Sequence, residues 1–249
     1  MSAPHRTERY GLVIRKAIDA VLNGSVTGRF SIHQLVKTEK TYIGTAVERF
    51  FVEEYRLPDT EFLDTAIKGI PVDIKFTIGN NWMIPPEAID HICVLIQAND
   101  DESTYSLGLL RIRDTLLCKG NRDTKCSLRA AAKRQITWCI SDGALPPNFL
   151  LHLDDERRSA ILTPKTGQKR VRELFRSVRG VPIPRLALAT VASQFDPRAR
   201  ARDAGKALAS EKIRVFSYRK NKELARLGLP ELPRGYWIAY REDEMVGSD

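Results

Sequence analysis

Apolar residues recur at helical spacing over 8–22 (ERYGLVIRKAIDAVL), which predicts a helix closed by the turn Asn23-Gly24-Ser25. A second helix is predicted over 43–56 (IGTAVERFFVEEYR), with Val47, Phe50, Phe51 and Tyr55 on its apolar face. Glu48 sits beside that face, whereas Glu53 and Glu54 point to solvent. The period then shortens to two. Segments 61–67 (EFLDTAI) and 72–77 (VDIKFT) flank Lys68-Gly69-Ile70-Pro71 and read as a hairpin. The continuous apolar run at 91–98 (HICVLIQA) predicts a central strand, with 104–112 (TYSLGLLRI) beside it. Pro85-Pro86-Glu87 opens a short helical turn, and a helix is expected around 126–138. The sum is a mixed sheet with helices packed on it, an α/β or α+β core.

The polar, Gly/Pro-rich segment Ser141–Asn148 reads as a linker, and FLLHL (149–153) starts a new unit. A basic amphipathic helix is predicted over 168–179 and another helix over 185–194, separated by Gly180 and two prolines. Basic strands follow (IRVFSYR, YWIAYR). This layout fits a winged helix-turn-helix; an ordinary helical subdomain is the competing reading. PRARARDAGKA (197–207) shows only local bias. Two domains are therefore expected, 1–145 and 146–249.

Charge sharpens that division. Net charge is +9, yet residues 1–145 hold 19 Lys+Arg against 18 Asp+Glu, whereas 146–249 hold 21 against 13. A one-sided basic excess points to a polyanion such as nucleic acid, or simply to a soluble basic surface. No run of 18 apolar residues exists and the first residues lack a signal-peptide core, so a cytoplasmic protein with no membrane span is expected. Cys118 and Cys126 have poor zinc spacing, and free thiols are expected for all four cysteines. The four histidines form no ligand pattern.

The candidate chemistry lies on the predicted hairpin. Asp73 and Lys75 flank one apolar residue on a strand, so both side chains share a face. Asp64 lies nine residues upstream of Asp73, and Glu48 on the preceding helix. Phosphodiester hydrolysis needs an activated water, charge relief on the phosphate and help for the leaving group, which a divalent cation held by carboxylates supplies. Mg²⁺ takes oxygen ligands and keeps several waters. Asp64 and Asp73 are the expected ligands, with the Ile74 carbonyl as a third. Lys75 is suited to orienting the attacking water or to neutralising charge on the phosphate. Glu48 is suited to a second metal or to a metal-bound water. The competing reading is a surface hairpin with an ordinary Asp–Lys pair.

Beyond the acids, the chain resembles the NaeI-type restriction endonucleases, whose catalytic core is related to the mismatch-repair nuclease MutH. The resemblance runs through Lys37-Thr38-Glu39-Lys40-Thr41 with Gly44-Thr45 and Glu48, then Val72-Asp73-x-Lys75-Phe76, then Trp82-Met83-x-Pro85-Pro86-Glu87-x-Ile89-x-His91-Ile92-Cys93. It continues in Leu150-Leu151-His152, Arg170-Val171-x-Glu173-Leu174-Phe175-Arg176, Ala189-Thr190-Val191-Ala192 and Leu227-Gly228-Leu229-Pro230. It implies a PD-(D/E)xK nuclease with Glu48, Asp64, Asp73 and Lys75 as catalytic residues. It implies a homodimeric, Mg²⁺-dependent type II enzyme cutting double-stranded DNA at a short palindromic, GC-rich site. It also implies a second domain that binds another copy of the site as effector, and a cognate DNA methyltransferase encoded nearby. A strand-nicking repair enzyme of the MutH type and a non-enzymatic DNA-binding regulator are the alternatives. Expected DNA contacts are Lys37 and Lys40 before the catalytic helix, and Lys169, Arg170, Arg172, Arg176, Arg179 and Arg185 in the second domain.

Overall fold

The computed structural model describes residues 3–118, 125–194 and 196–245. The chain divides into two compact units, one of residues 1–21 and 32–148, the other of residues 22–31 and 149–249.

The first unit holds most of α1 (Ala3–Leu22), which precedes the short α2 (Gly24–Thr27) of the second unit, and all of α3 (Lys37–Tyr55). Helix α3 starts six residues before the apolar periodicity does. Its polar first turn is stabilised by Glu39, whose carboxylate accepts the Val36 backbone N–H at 3.0 Å. Tyr10 of α1 stacks on Phe51 of α3 with ring centroids 5.7 Å apart.

Strands β1 (Thr65–Ile67) and β2 (Ile70–Thr77) form the expected hairpin, with only three residues in the first strand. Next come β3 (Met83–Ile84), β4 (Ile92–Asn99), β5 (Thr104–Arg111), β6 (Cys126–Ser127), the single turn α4 (Ala130–Lys133) and β7 (Thr137–Ala144). The main sheet has five strands in the order β1-β2-β4-β5-β7, so the apolar run at 92–99 is its centre. Only β2 and β4 pair in parallel; the other neighbours are antiparallel. Buried on both faces, β4 reads as a continuous apolar run, as its position demands. A separate pair, β3 with β6, closes a cluster of Trp82, Ile84, Leu110, Ile112 and Leu128.

Two expectations fail here. The helix expected around 126–138 is one turn followed by β7, and the linker expected at 141–148 supplies that strand's second half. Thr137-Trp138-Cys139-Ile140 is a β-branched and aromatic run that prefers extended backbone. Gly108 of β5 makes room for it: a Cβ there would lie 2.4 Å from Ile136 Cγ2 and 2.9 Å from Trp138 Cε3.

The second unit contains α5 (Asp155–Leu162), α6 (Gly167–Ser177), β8 (Ile183–Pro184), α7 (Arg185–Ala192), α8 (Pro197–Leu208), β9 (Ile213–Ser217), α9 (Asn221–Arg226) and β10 (Tyr236–Arg241). Its three strands lie in the order β8-β10-β9, all antiparallel. Val171, Leu174 and Phe175 of α6, Leu188 and Val191 of α7, and Ala201, Ala204 and Leu208 of α8 form one core with Ile213, Trp237 and Ala239. Phe216, Leu224, Leu232, Ile238 and Tyr240 make a second cluster. Segment 22–31, assigned by its sequence to the first domain, belongs here because Gly24 lets α2 press on α7. A Cβ at Gly24 would sit 2.3 Å from Thr190 Oγ1 and 2.7 Å from the Arg29 carbonyl. The locally biased segment 197–207 is helix α8, opened by Asp196, whose carboxylate accepts the Arg198 N–H at 3.1 Å, and by Pro197 in the first turn.

Candidate functional site

Strand β2 carries the site. Its pleat sends Val72 and Ile74 into the core while Asp73 and Lys75 project together from the other face. Lys75 Nζ donates to Asp73 Oδ1 at 2.9 Å, to Asp64 Oδ2 at 3.5 Å and to the Ile74 carbonyl at 3.1 Å. Asp64, just before β1, also accepts the Ile74 backbone N–H through Oδ2 at 2.6 Å, which ties the loop to the strand. Glu48 approaches the same group from α3, which packs against β2, close enough for the charges of Asp64, Lys75 and Asp73 to act on its carboxyl. The structure thus brings together Glu48, Asp64, Asp73, Lys75 and the Ile74 carbonyl.

Three carboxylates surround one ammonium, and the electrostatics reflect it. Burial, then the charge of Asp64, pushes Glu48 up to about 7. Burial pushes Asp73 up to about 6, against the pull of Lys75. For Lys75 burial works downward, but Asp73 and Asp64 outweigh it and hold the ammonium above its usual range. Such crowding of acids is unfavourable for a site made only to stabilise the fold. A small divalent cation would relieve it. The donors are hard oxygens, two carboxylates and a backbone carbonyl, and fit a cation that keeps part of its water shell. No cluster of three or more His, Cys, Asp or Glu side chains arranged to enclose an ion occurs among the described residues, so water would have to complete the coordination.

A further contact was not expected from the sequence. Cys93 of β4 is the register partner of Asp73, and its Sγ lies 3.6 Å from Asp73 Oδ2. Burial, then the Asp73 charge, raises the thiol pKa, so it stays protonated. Only the pairing of β2 with β4, twenty residues apart, reveals this contact.

The expected DNA contacts divide into two groups. Lys37 and Lys40 stand in the first turn of α3, Lys37 exposed. In the second unit Lys169 and Arg185 are exposed and Arg172 is half-buried. The other three are engaged internally. Arg170 donates to the Val191 carbonyl at 2.7 Å and to Ser193 Oγ at 2.8 Å, joining α6 to the end of α7. Arg176 forks onto Glu211 at 2.7 and 2.8 Å and also pairs with Glu173. Arg179 pairs with Glu244 at 2.7 Å.

A different basic surface lies between α8 and β9, where a groove of about 670 Å³ is lined by Arg198, Arg202, Lys206, Arg214, Arg219 and Lys220, with Asp196 as the acid among them. Arg214 and Lys220 both pair with Glu223. Arg198, Arg202 and Lys206 follow at intervals of four and share one face of α8. The signal was present in the sequence as PRARARDAGKA, but its helical period is carried by alanines.

A cluster of acids and a lysine on a mixed sheet, joined in one chain to a basic helical unit, is compatible with the class of the restriction endonucleases, and comparison with known proteins shows that class. The model of a family described as restriction endonuclease NaeI matches residues 2–245. The type II restriction enzyme NaeI of Lentzea aerocolonigenes is 38% identical over 247 residues, covering 94% of this chain and 78% of that enzyme. The chain belongs to the NaeI family of type II restriction endonucleases.

Proposed function

We propose that the chain is a type II site-specific deoxyribonuclease whose first unit hydrolyses phosphodiesters in double-stranded DNA with Mg²⁺, and whose second unit holds DNA. The observation that carries the reading is the Asp64–Asp73–Lys75 contact set, with Glu48 beside it.

The bound ion would polarise the phosphate and activate water. Asp64, Asp73 and the Ile74 carbonyl are the protein atoms that would hold it. Lys75, already donating to both aspartates, would turn towards the scissile phosphate and offset charge as it grows on the phosphoryl oxygens. Glu48 would hold a water of the shell and accept its proton.

For the second unit, the order helix α6, strand β8, helices α7 and α8, strand β9, helix α9 and strand β10, with the sheet order β8-β10-β9, supports a winged-helix reading in which α9 lies between the last two strands. In that arrangement α8, not α6, is the helix presented to the major groove. This reading moves the expected contacts to Arg198, Arg202 and Lys206, because Arg170, Arg176 and Arg179 are committed within the unit. A homodimer acting on a palindromic, GC-rich site, with a second copy of the site as effector, completes the proposal, as does a methyltransferase encoded nearby.

Digestion of varied unmethylated plasmids with Mg²⁺ tests it. Discrete fragments are expected. Conversion of supercoiled plasmid only to open circle would make it a nicking enzyme, and failure of well-folded protein to cut any DNA would overturn the reading.

A further inference from the structure

We propose that Cys93 is a positioning residue for the cleavage centre: its buried thiol donates to Asp73 Oδ2 and fixes the rotation of that carboxylate. The inference rests on the reading of Asp73 as an ion ligand.

The terminal torsion of an aspartate is broad and nearly two-fold, so a carboxylate needs partners on both oxygens to hold one orientation. Asp73 has them. Oδ1 accepts from Lys75 Nζ at 2.9 Å, and Oδ2 faces Cys93 Sγ at 3.6 Å. The parallel register that opposes Asp73 to Cys93 and Lys75 to Leu95 puts these side chains on one face, so the contact follows from strand pairing and not from a flexible loop. Asp73 is 3% exposed and Cys93 is fully buried in the cluster of Trp82, Leu95 and Leu110. Water is therefore a poor substitute partner for Oδ2.

The residue type fits this place. Alanine would fill the apolar side but leave Oδ2 without a donor. Serine would donate but set a hydroxyl among apolar neighbours. A thiol packs as a small hydrophobe and still carries a weak donor. Removing the hydrogen-bond partner of a metal ligand typically lowers metal affinity about 10–100-fold, and a weak S–H donor belongs at the low end.

The test compares wild type, Cys93→Ala and Cys93→Ser, which leave similar space in the core but differ in the donor. Mg²⁺ binding is measured by titration calorimetry on the full chain, beside the Mg²⁺ concentration for half-maximal cleavage and the thermal midpoint. Cys93→Ala is expected to weaken Mg²⁺ by about tenfold in both measurements. Cys93→Ser is expected to stay within about threefold of wild type, because it keeps the donor. Equal Mg²⁺ dependence in all three folded proteins, or equal weakening in both variants, would overturn the positioning role. Wild type that neither binds Mg²⁺ nor cuts would overturn the nuclease reading and this inference with it.

Discussion

Replacing Arg198, Arg202 and Lys206 together by glutamine removes three cations from one face of α8 and leaves Ala201, Ala204 and Leu208, which seat the helix, untouched. The first and last lie eight steps apart, about 12 Å along the helix at about 1.5 Å per residue. If each neutralises one phosphate, each contributes about 0.9 to the slope of log affinity against log salt. The triple variant should then lose about 2.7 from that slope. Over the range from about 50 to 200 mM salt its affinity should fall about 40-fold less than that of wild type. Fluorescence anisotropy with a labelled duplex, in buffer without divalent ions so that no strand is cut, gives the slope directly. The matched control replaces Arg170, Arg176 and Arg179 by glutamine. These arginines join α6 to α7, Glu211 and Glu244, so the control should lower the thermal midpoint and leave the slope near wild type. An unchanged slope in the α8 variant, or a lowered slope in the control alone, would refute the placement of DNA on α8.

Glu48 predicts a pH effect. Its folded pKa of about 7 lies above the ordinary carboxylate value, so the folded state binds the extra proton and the charged form opposes folding above pH 7. That cost is absent once the pH is below the ordinary value. Glu48→Gln should therefore raise the metal-free thermal midpoint at pH 8 and change it little at pH 4.5, as read by calorimetric melts; a larger gain at the lower pH would contradict the sign. Because protons and the ion compete for the same carboxylates, Mg²⁺ affinity of wild type should rise from pH 6 to pH 8, with proton uptake or release measured by calorimetry in buffers of different ionisation heat. In the first unit Arg15 pairs with Asp100 in the core and with Asp19 at 2.9 Å. Asp100→Ala should cost about 3 kcal/mol in urea unfolding, the low end for breaking a buried pair because Asp19 remains. A loss below about 1 kcal/mol would show that the pair is not desolvated.

The hairpin that carries Asp73 and Lys75 is legible in the sequence because its information is local. Asp73 and Lys75 share a face by the period of a strand, and the apolar run 91–98 announces a strand buried on both sides. Asp64 and Glu48 were found by chemistry and spacing, and the fold brings them to the same place. What escaped depends on distant partners. Cys93 meets Asp73 only through strand pairing, and segment 22–31 joins the second unit only because Gly24 fits under Thr190. Helix α8 was hidden because Ala201 and Ala204 are small enough to look neutral in a hydrophobicity pattern while packing fully in the core. Strand β7 is masked in the sequence by the helix-forming run Ala130–Lys133 just before it, whose local propensity holds for four residues and not for the whole of 126–138. The basic helix α6 drew attention by its arginines, yet those arginines mostly satisfy carboxylates and carbonyls of their own unit.

In the proposed function Asp73 and Lys75 of strand β2, with Asp64 and Glu48 beside them, do the cutting. The direct measurement is the single-turnover cleavage rate at saturating DNA and Mg²⁺ for wild type, Asp73→Ala and Lys75→Ala, with DNA affinity measured separately. Loss of a group that stabilises charge in the transition state costs about 10²–10³ in rate. A fall of at least about a hundredfold is expected in each variant, with DNA affinity within about threefold of wild type. Cleavage at the wild-type rate by either variant would contradict it.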